Sequence, residues 1–328
     1  MSKKCIGCGA TLQYEDTNKL GYVSEDVYEK STYCQRCFKI IHYNEKVYTK
    51  LDNINKKITT KLSKFDGLVY FMVDFLNINE ETMEVFNSIK NFKCLLISKL
   101  DILPKSFNEK KIIKFIKNTY KVKDDIFFVS AKKNINTKMI LRYATNNGFK
   151  KVCFTGYTNA GKSTLINKIL EYYGVKSNIT TSLNPNTTVD FIDIKLDDFT
   201  LVDSPGFVLK KDIYEKDDFV LIRKINSKKM IKPITYQAKD SSSIFIEYLY
   251  RIMPSVKNSL TFYMSNDLNI FRLFESDKML DLDYKDISID DNTDLVIKGL
   301  GFVNIKKKCN IRVYSKYLDL IEVRKAMF

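Results

Sequence analysis

The chain has 328 residues, 45% of them hydrophobic and 28% charged, which is enough to bury the cores of two or three domains. Lys and Arg number 54 against 39 Asp and Glu, for a net charge of +15 and a pI near 9.2; this favours a polyanionic partner, nucleic acid before an anionic membrane surface. The single His42 all but excludes catalysis that rests on histidine, and no apolar run approaches the length of a membrane span.

Two close cysteine pairs open the chain, Cys5-Ile6-Gly7-Cys8 and Cys34-Gln35-Arg36-Cys37. Each C-x2-C pair sits on a tight turn that aims two thiolates at one ion. Cys5, Cys8, Cys34 and Cys37 therefore predict a closed tetrahedral zinc site, structural because no coordination position stays open. The loop between the pairs is longer than the commonest spacing. A ligand as early as Cys5 leaves no room for a leader peptide, and reduced thiols fit a cytoplasmic protein.

From about residue 51 the pattern becomes α/β. Gly67–Asp74, Asn91–Ile97 and Asp125–Val129 read as buried strands, and Phe107–Tyr120 as an amphipathic helix carrying Ile112, Ile113 and Ile116. Lys151–Thr155 is the next strand, and Thr164–Leu170 has apolar residues at helical spacing. Between them lies Gly156-Tyr157-Thr158-Asn159-Ala160-Gly161-Lys162-Ser163, which fits the phosphate-binding loop G-x-x-x-x-G-K-[ST]. The glycines let backbone N–H groups of Gly156 to Thr164 close on phosphate oxygens at a helix N-terminus. Lys162 would reach the β- and γ-phosphates, and Ser163 would ligate Mg²⁺. Val189–Ile194 and Phe199–Asp203 read as two further strands. Strands alternating with helices predict a parallel sheet with helices on both faces and a ligand at the strands' carboxyl ends.

Three polar motifs sit at such ends: Ser98-Lys99-Leu100-Asp101, Ser130-Ala131-Lys132 and Asp203-Ser204-Pro205-Gly206. They resemble the GTPase motifs NKxD, SAK and DxxG. In that reading Asp101 accepts from guanine N1–H and the 2-amino group, a donor pair that adenine lacks. The Ala131 N–H meets guanine O6, Asp203 holds Mg²⁺ through water, and the Gly206 N–H senses the γ-phosphate. Ordinary GTPases place the phosphate loop first. Here the base-reading motifs precede it, so the domain resembles a circularly permuted GTPase; the same site forms when the chain is cut at another surface loop.

With the cysteine pairs in front and a long tail behind, the whole chain resembles the YqeH family, through CIGCGATLQ at Cys5, CQRCFKIIHYN at Cys34, DILPKS at Asp101, VSAKK at Val129 and Gly299-Leu300-Gly301-Phe302. The resemblance implies a monomeric GTPase that binds GTP and GDP and assists assembly of the small (30S) ribosomal subunit through its rRNA, away from membranes. It implies a zinc knuckle over 1–50, a permuted GTPase domain over 51–215 and a mostly-β α+β domain over 216–328. Thr188 becomes the switch threonine on Mg²⁺, with Thr187 as its rival. Asn159 resembles the residue that helps hold K⁺ beside the phosphates. Phe207 stands where a water-positioning Gln is found in Ras-like enzymes, so intrinsic hydrolysis should be slow. A guanine-nucleotide-dependent RNA-binding module with little turnover is the alternative.

The family has Asn where this chain has Ser98. Losing one hydrogen bond there weakens nucleotide binding by about 1 kcal/mol and leaves the guanine preference intact. The permuted order also leads the DxxG switch straight into the tail, so switch movement should pull on that region. In the tail, Ser243–Tyr250, Leu260–Met264, Asp294–Ile297 and Phe302–Ile305 read as strands. Interleaved aromatics with Lys306, Lys307, Lys308, Arg312, Lys316, Arg324 and Lys325 read either as an RNA-binding surface or as a core beneath a solvated face.

Overall fold

The computed structural model describes residues 3, 5, 11–16, 21–35, 48–104, 106–157, 159–175, 191–197, 199–207, 213, 219–226, 229–239, 242–274 and 276–328, with backbone alone at 48–54, 219, 220 and 223. Cys8, Cys37, His42, Thr158, Thr187 and Thr188 lie outside the described residues.

The first sheet is built from β1 (Leu68–Asp74), β2 (Lys93–Ser98), β3 (Asp125–Phe128), β4 (Lys151–Gly156), β5 (Ile192–Lys195) and β6 (Thr200–Asp203), in the order β3-β2-β1-β4-β6-β5. All neighbours are parallel except β5, which runs antiparallel to β6 at the edge. The apolar runs of β1 and β4 are central strands covered on both sides, which is why they read as continuous rather than alternating. Helices α1 (Tyr48–Ser63), α2 (Glu80–Ser88) and α3 (Glu109–Tyr120) cover one face, sending Leu62, Phe86 and Ile116 against Val69, Phe71 and Ile97. Helices α4 (Thr137–Asn146) and α5 (Lys162–Tyr172) cover the other, sending Ile140, Ile166 and Ile169 against Tyr70, Leu96 and Phe154. The order of the motifs is thus compatible with one sheet because β1, opened by the first half of the chain, pairs with both β2 and β4.

The tail begins with α6 (Phe219–Ile225) and continues as ten strands: β7 (Ile234–Ala238), β8 (Ser242–Ile246), β9 (Tyr250–Pro254), β10 (Asn258–Met264), β11 (Ile270–Phe274), β12 (Tyr284–Ile289), β13 (Thr293–Ile297), β14 (Gly301–Ile305), β15 (Cys309–Tyr314) and β16 (Ile321–Lys325). They form two five-stranded antiparallel sheets, β16-β13-β14-β10-β7 and β11-β8-β9-β15-β12. The sheets enclose a core of Ile246, Ile252, Leu260, Leu295, Val303 and Val313. The run expected as one strand over Ser243–Tyr250 is instead a hairpin. Glu247 and Tyr248 take positive φ (48° and 54°) and turn the chain between β8 and β9. Neither is a Gly or Asn, so the usual mark of such a turn is missing.

Burial also decides much of the tail's aromatic content. Phe245, Tyr250, Phe262 and Phe302 are core side chains, which for these rings favours the reading of a core beneath a solvated face over that of an RNA surface. Arg324 is likewise buried and paired with Asp294, so it offers no charge to a partner. Lys306, Lys307, Lys308, Lys316 and Lys325 are exposed, and Arg312 is exposed but held by Asp286 at 2.7 Å.

The tail packs on the first sheet's domain at the base-reading end. Phe75 meets Phe302 and Phe328 with ring centroids 5.8 and 5.9 Å away. Ile231 N–H donates to Ile102 O at 2.8 Å. Glu322 accepts from Glu80 N–H at the start of α2 at 3.0 Å, and Lys298 pairs with Glu81 at 3.1 Å. These described contacts reach the loops after β1 and β2. Residues 208–212 and 214–218, through which the switch was expected to pull on the tail, lie outside the described residues.

Candidate nucleotide site

Three loops converge at the carboxyl ends of β1, β2, β3 and β4. They enclose a cleft of ≈ 280 Å³ whose walls include Ser98, Lys99, Asp101, Ala131, Gly161 and Thr164. Lys132 and Ala160 also line it, so all three of the motifs on this side meet around one space.

The phosphate side follows from its glycines. Gly156 has φ 142°, and a Cβ there would lie 2.2 Å from Met72 O on β1, so only glycine lets β4 end this close to its neighbour. Gly161 has φ 87° and stands immediately before α5, where a left-handed residue turns the loop into the helix. Asn159 is also left-handed (φ 63°). The loop therefore presents its backbone N–H groups at the start of an eleven-residue helix. Lys162 Nζ sits 3.1 Å from Asp203 Oδ1, with both side chains 12% exposed. The register explains the meeting, because Asp203 ends β6 directly opposite Phe154 on β4. Ser163 follows Lys162 in the first turn of α5, and Gly206 precedes Phe207, whose N–H donates to Gly156 O at 2.9 Å. The Phe207 ring is fully buried, 5.7 Å from Phe71 and 5.9 Å from Tyr157. It points into the core, where it does no work on water.

The base side is a set of interlocked turns. Leu100 N–H donates to Val129 O at 3.0 Å, tying the loop after β2 to the loop after β3. Ser130, fully buried, donates its hydroxyl to Asp101 Oδ1 at 2.6 Å. That short bond to a carboxylate fixes its plane while the remaining lone pairs stay open to the cleft. Ser98, 3% exposed, donates its hydroxyl to Val73 O at 3.3 Å. Where the sequence shows Ser in place of an amide, the hydroxyl thus serves the β1 backbone.

The donor sets fit the ions expected of them. The Ser163 hydroxyl and the Asp203 carboxylate are hard oxygen ligands of the kind Mg²⁺ takes. Among the described residues no cluster of three or more metal-ligating side chains occurs, and two of the four cysteines lie outside them. The other two meet: Cys34 N–H donates to Cys5 Sγ at 3.2 Å, with both residues 1% exposed. This contact brings one cysteine of each C-x2-C pair together, which is compatible with the expected zinc site.

One residue beside the cleft escaped sequence reasoning. Asp74 ends β1 and pairs with Lys99 at 3.2 Å. It belongs to no spacing motif; the only signal was a carboxylate closing an otherwise apolar strand.

The parallel sheet, the phosphate loop and the base-side turns define a P-loop GTPase domain whose motifs run in permuted order. Comparison with known proteins agrees. A family model described as 50S ribosome-binding GTPase matches residues 151–253. YqeH of Bacillus subtilis (strain 168) is 31% identical over 338 residues, covering 92% of each chain. The chain belongs to the YqeH family of circularly permuted GTPases. GTPase Der of Karelsulcia muelleri (strain GWSS) is 28% identical over 64% of this chain and 46% of its own. The small ribosomal subunit biogenesis GTPase RsgA of Malacoplasma penetrans (strain HF-2) is 30% identical over 50% of this chain and 58% of its own. Among solved structures, YjeQ from Thermotoga maritima aligns over 44% of this chain and 49% of its own at 18% identity, with a TM-score of 0.30. Among the described residues no helix is long and apolar enough to cross a membrane.

Proposed function

We propose that this chain binds GTP and GDP, hydrolyses GTP slowly, and uses the nucleotide state to gate its binding to the rRNA of the assembling small ribosomal subunit, as a cytoplasmic monomer. The observation that carries the reading is the single cleft in which Asp101, Ala131 and Gly161 meet. A carboxylate and a phosphate-binding helix end in one cleft fit a guanine nucleotide, whose N1–H and 2-amino group form a donor pair that adenine lacks. In this reading Ser98, Lys99, Asp101, Ser130, Ala131 and Lys132 hold the base. The loop from Gly156 through Asn159, Ala160, Gly161, Lys162, Ser163 and Thr164 holds the phosphates. Lys162, which pairs with Asp203 at 3.1 Å, would neutralise the β- and γ-phosphates, and Asp203 would help hold Mg²⁺. Ser163 and Thr188, with Thr187 as its rival, would hold Mg²⁺, and the Gly206 N–H would report on the γ-phosphate. Mg²⁺ supplies charge neutralisation on the phosphates when bound.

The buried Phe207 supports slow turnover and keeps a second reading in view, a guanine-nucleotide-dependent RNA-binding module with little hydrolysis. Phe207 cannot orient water, so charge developing on the phosphates would be neutralised by a cation, and Asn159 is the residue assigned to K⁺. Single-turnover hydrolysis is expected to fall several-fold when Na⁺ replaces K⁺, and Asn159→Ala should abolish that difference. Equal rates in both salts would remove K⁺ from the account.

The ribosomal reading is supported by the net charge of +15 and by the relatives' names. The family model's description names the large subunit and the RsgA relative's name the small one; the small-subunit reading follows the RsgA name. Sucrose-gradient sedimentation of lysate with GDP or a non-hydrolysable GTP analogue tests this. Co-migration with small-subunit particles in one nucleotide state only is the expected result. Co-migration with large-subunit particles, or none in either state, would overturn it.

The knuckle carries its own test. Purified protein should hold one zinc per chain by elemental analysis, and Cys34→Ser should lose most of it while GDP affinity stays within about twofold, because a closed site takes no part in nucleotide chemistry. Full zinc content in the variant would contradict the four-cysteine assignment.

A further inference from the structure

Asp74 is 5% exposed, and its carboxylate meets four donors. Oδ1 accepts from Leu76 N–H at 3.0 Å and Asn77 N–H at 3.2 Å. Oδ2 accepts from Asn77 Nδ2 at 2.9 Å and from Lys99 Nζ at 3.2 Å. The first contacts cap the 3-10 turn Phe75–Asn77. The last reaches across to the base-reading loop, and the strand register places it there, since Asp74 lies directly opposite Ser98.

Lys99 is the residue that needs holding. Its backbone is left-handed (φ 57°, ψ 37°), its side chain is 25% exposed, and it lines the cleft beside Asp101. A long ammonium side chain at the rim of a cleft has many rotamers to choose from. One of its choices is the Asp101 carboxylate, two residues away. A lysine paired with Asp101 would occupy the lone pairs that a guanine must find. Asp74 removes that choice, because a buried carboxylate already capping a turn is a fixed anchor for the ammonium. The four-carbon stem is then stretched along the cleft wall, with Asp101 oriented by Ser130 on the other side at 2.6 Å.

The geometry points to Asp74 as a positioning residue for guanine-nucleotide binding: it acts through Lys99, setting the wall against which the base lies and keeping Asp101 available to it. The inference rests on the guanine reading above. It assigns a role to the end of β1, a segment outside every nucleotide motif. The same carboxylate caps the turn that sends Phe75 into the aromatic contact with Phe302 and Phe328, so the residue that holds Lys99 also holds the tail's seat.

The test is a double-mutant cycle on GDP affinity. Wild-type binding of a fluorescent GDP is measured first against ADP, since a chain that prefers neither nucleotide removes the guanine reading whatever the variants do. Asp74→Asn keeps an oxygen for the Leu76 and Asn77 N–H groups but drops the charge that anchors Lys99. Asp74→Asn and Lys99→Met are each expected to weaken GDP binding about tenfold, and the double variant also about tenfold, because both remove one interaction. Lys99→Arg, which still reaches Asp74, should recover most of what Lys99→Met loses, and should recover nothing in the Asp74→Asn background. An Asp74→Asn protein with unchanged affinity, or losses that multiply in the double variant, would overturn the inference. Should Asp74→Asn fail to fold, the Lys99 pair still decides: Lys99→Arg as weak as Lys99→Met refutes an anchoring charge.

Discussion

Asp101→Asn should exchange guanine for xanthine. In the proposed site the Asp101 carboxylate accepts from two base donors, and its plane is fixed by the Ser130 hydroxyl at 2.6 Å. In the variant the amide oxygen keeps that bond, so the amide NH₂ faces the cleft. It then meets the guanine 2-amino group donor to donor, and the ring N1–H loses its charged partner. Xanthine carries a carbonyl at the same carbon and accepts what the amide offers. Each charge-assisted hydrogen bond is worth about 1.5–3 kcal/mol, so losing two lowers GDP affinity roughly a hundredfold or more. Competition between GDP and XDP for a labelled nucleotide reads both changes at once. A variant that still prefers GDP would show that Asp101 does not read the base.

The second large effect lies at the junction with the tail. Arg324→Ala should destabilise the protein by about 3–5 kcal/mol, because it leaves a buried carboxylate without its cation. Arg324 and Asp294 have side chains only 3% and 1% exposed and meet at 3.3 Å. The guanidinium also donates to Ile78 O and lies 4.7 Å from the Phe302 ring and 5.5 Å from Phe115 on α3. It therefore joins β16 to the first domain as well as to its own sheet. Urea unfolding gives the loss, and limited proteolysis should release the tail earlier than in wild type. The pH dependence has a defined sign. Burial raises the Asp294 carboxyl above its usual range and Arg324 pulls it back. Without Arg324 the folded state keeps a proton that the unfolded chain releases, so the variant's stability falls as pH rises above the ordinary carboxylate range. An Arg324→Ala protein as stable as wild type would show that the junction is held elsewhere.

The junction shows what the sequence could and could not carry. Strand ends are where an α/β sheet puts its chemistry, so the motifs at Ser98, Ser130 and Gly156 were legible as a site before any geometry. Permuted order did not hide them, because pairing of β1 with both β2 and β4 is indifferent to where the chain begins. β5 (Ile192–Lys195) alternates apolar and charged residues and is largely exposed, as an edge strand does, but that pattern does not record which way the strand runs. The hairpin at Glu247 and Tyr248 was invisible because neither residue is a turn former. Burial was the larger gap: composition counts Arg324 as available charge and leaves the tail's aromatics between stacking and core, whereas the fold closes Arg324 and Phe245 inside. Asp74 was missed because its role comes from register with Ser98, a relation between strands that no local spacing records.

That register also changes where the output of the nucleotide site is sought. Chain order draws attention to the segment after Gly206. The described contacts bring the tail instead to Phe75, Ile102 and the start of α2, next to Ser98, Lys99 and Asp101 on the cleft wall. The cleft and the seat of the tail thus share the same two loops.

The most direct test of the whole account is displacement of a labelled GDP from the purified chain by unlabelled GTP and by ATP. GTP should displace it at concentrations at least about a hundredfold below those ATP needs, because a site built on a charged acceptor rejects a base without the matching donors. ATP displacing the label as well as GTP would contradict a guanine site at Asp101, and with it the family's chemistry in this chain.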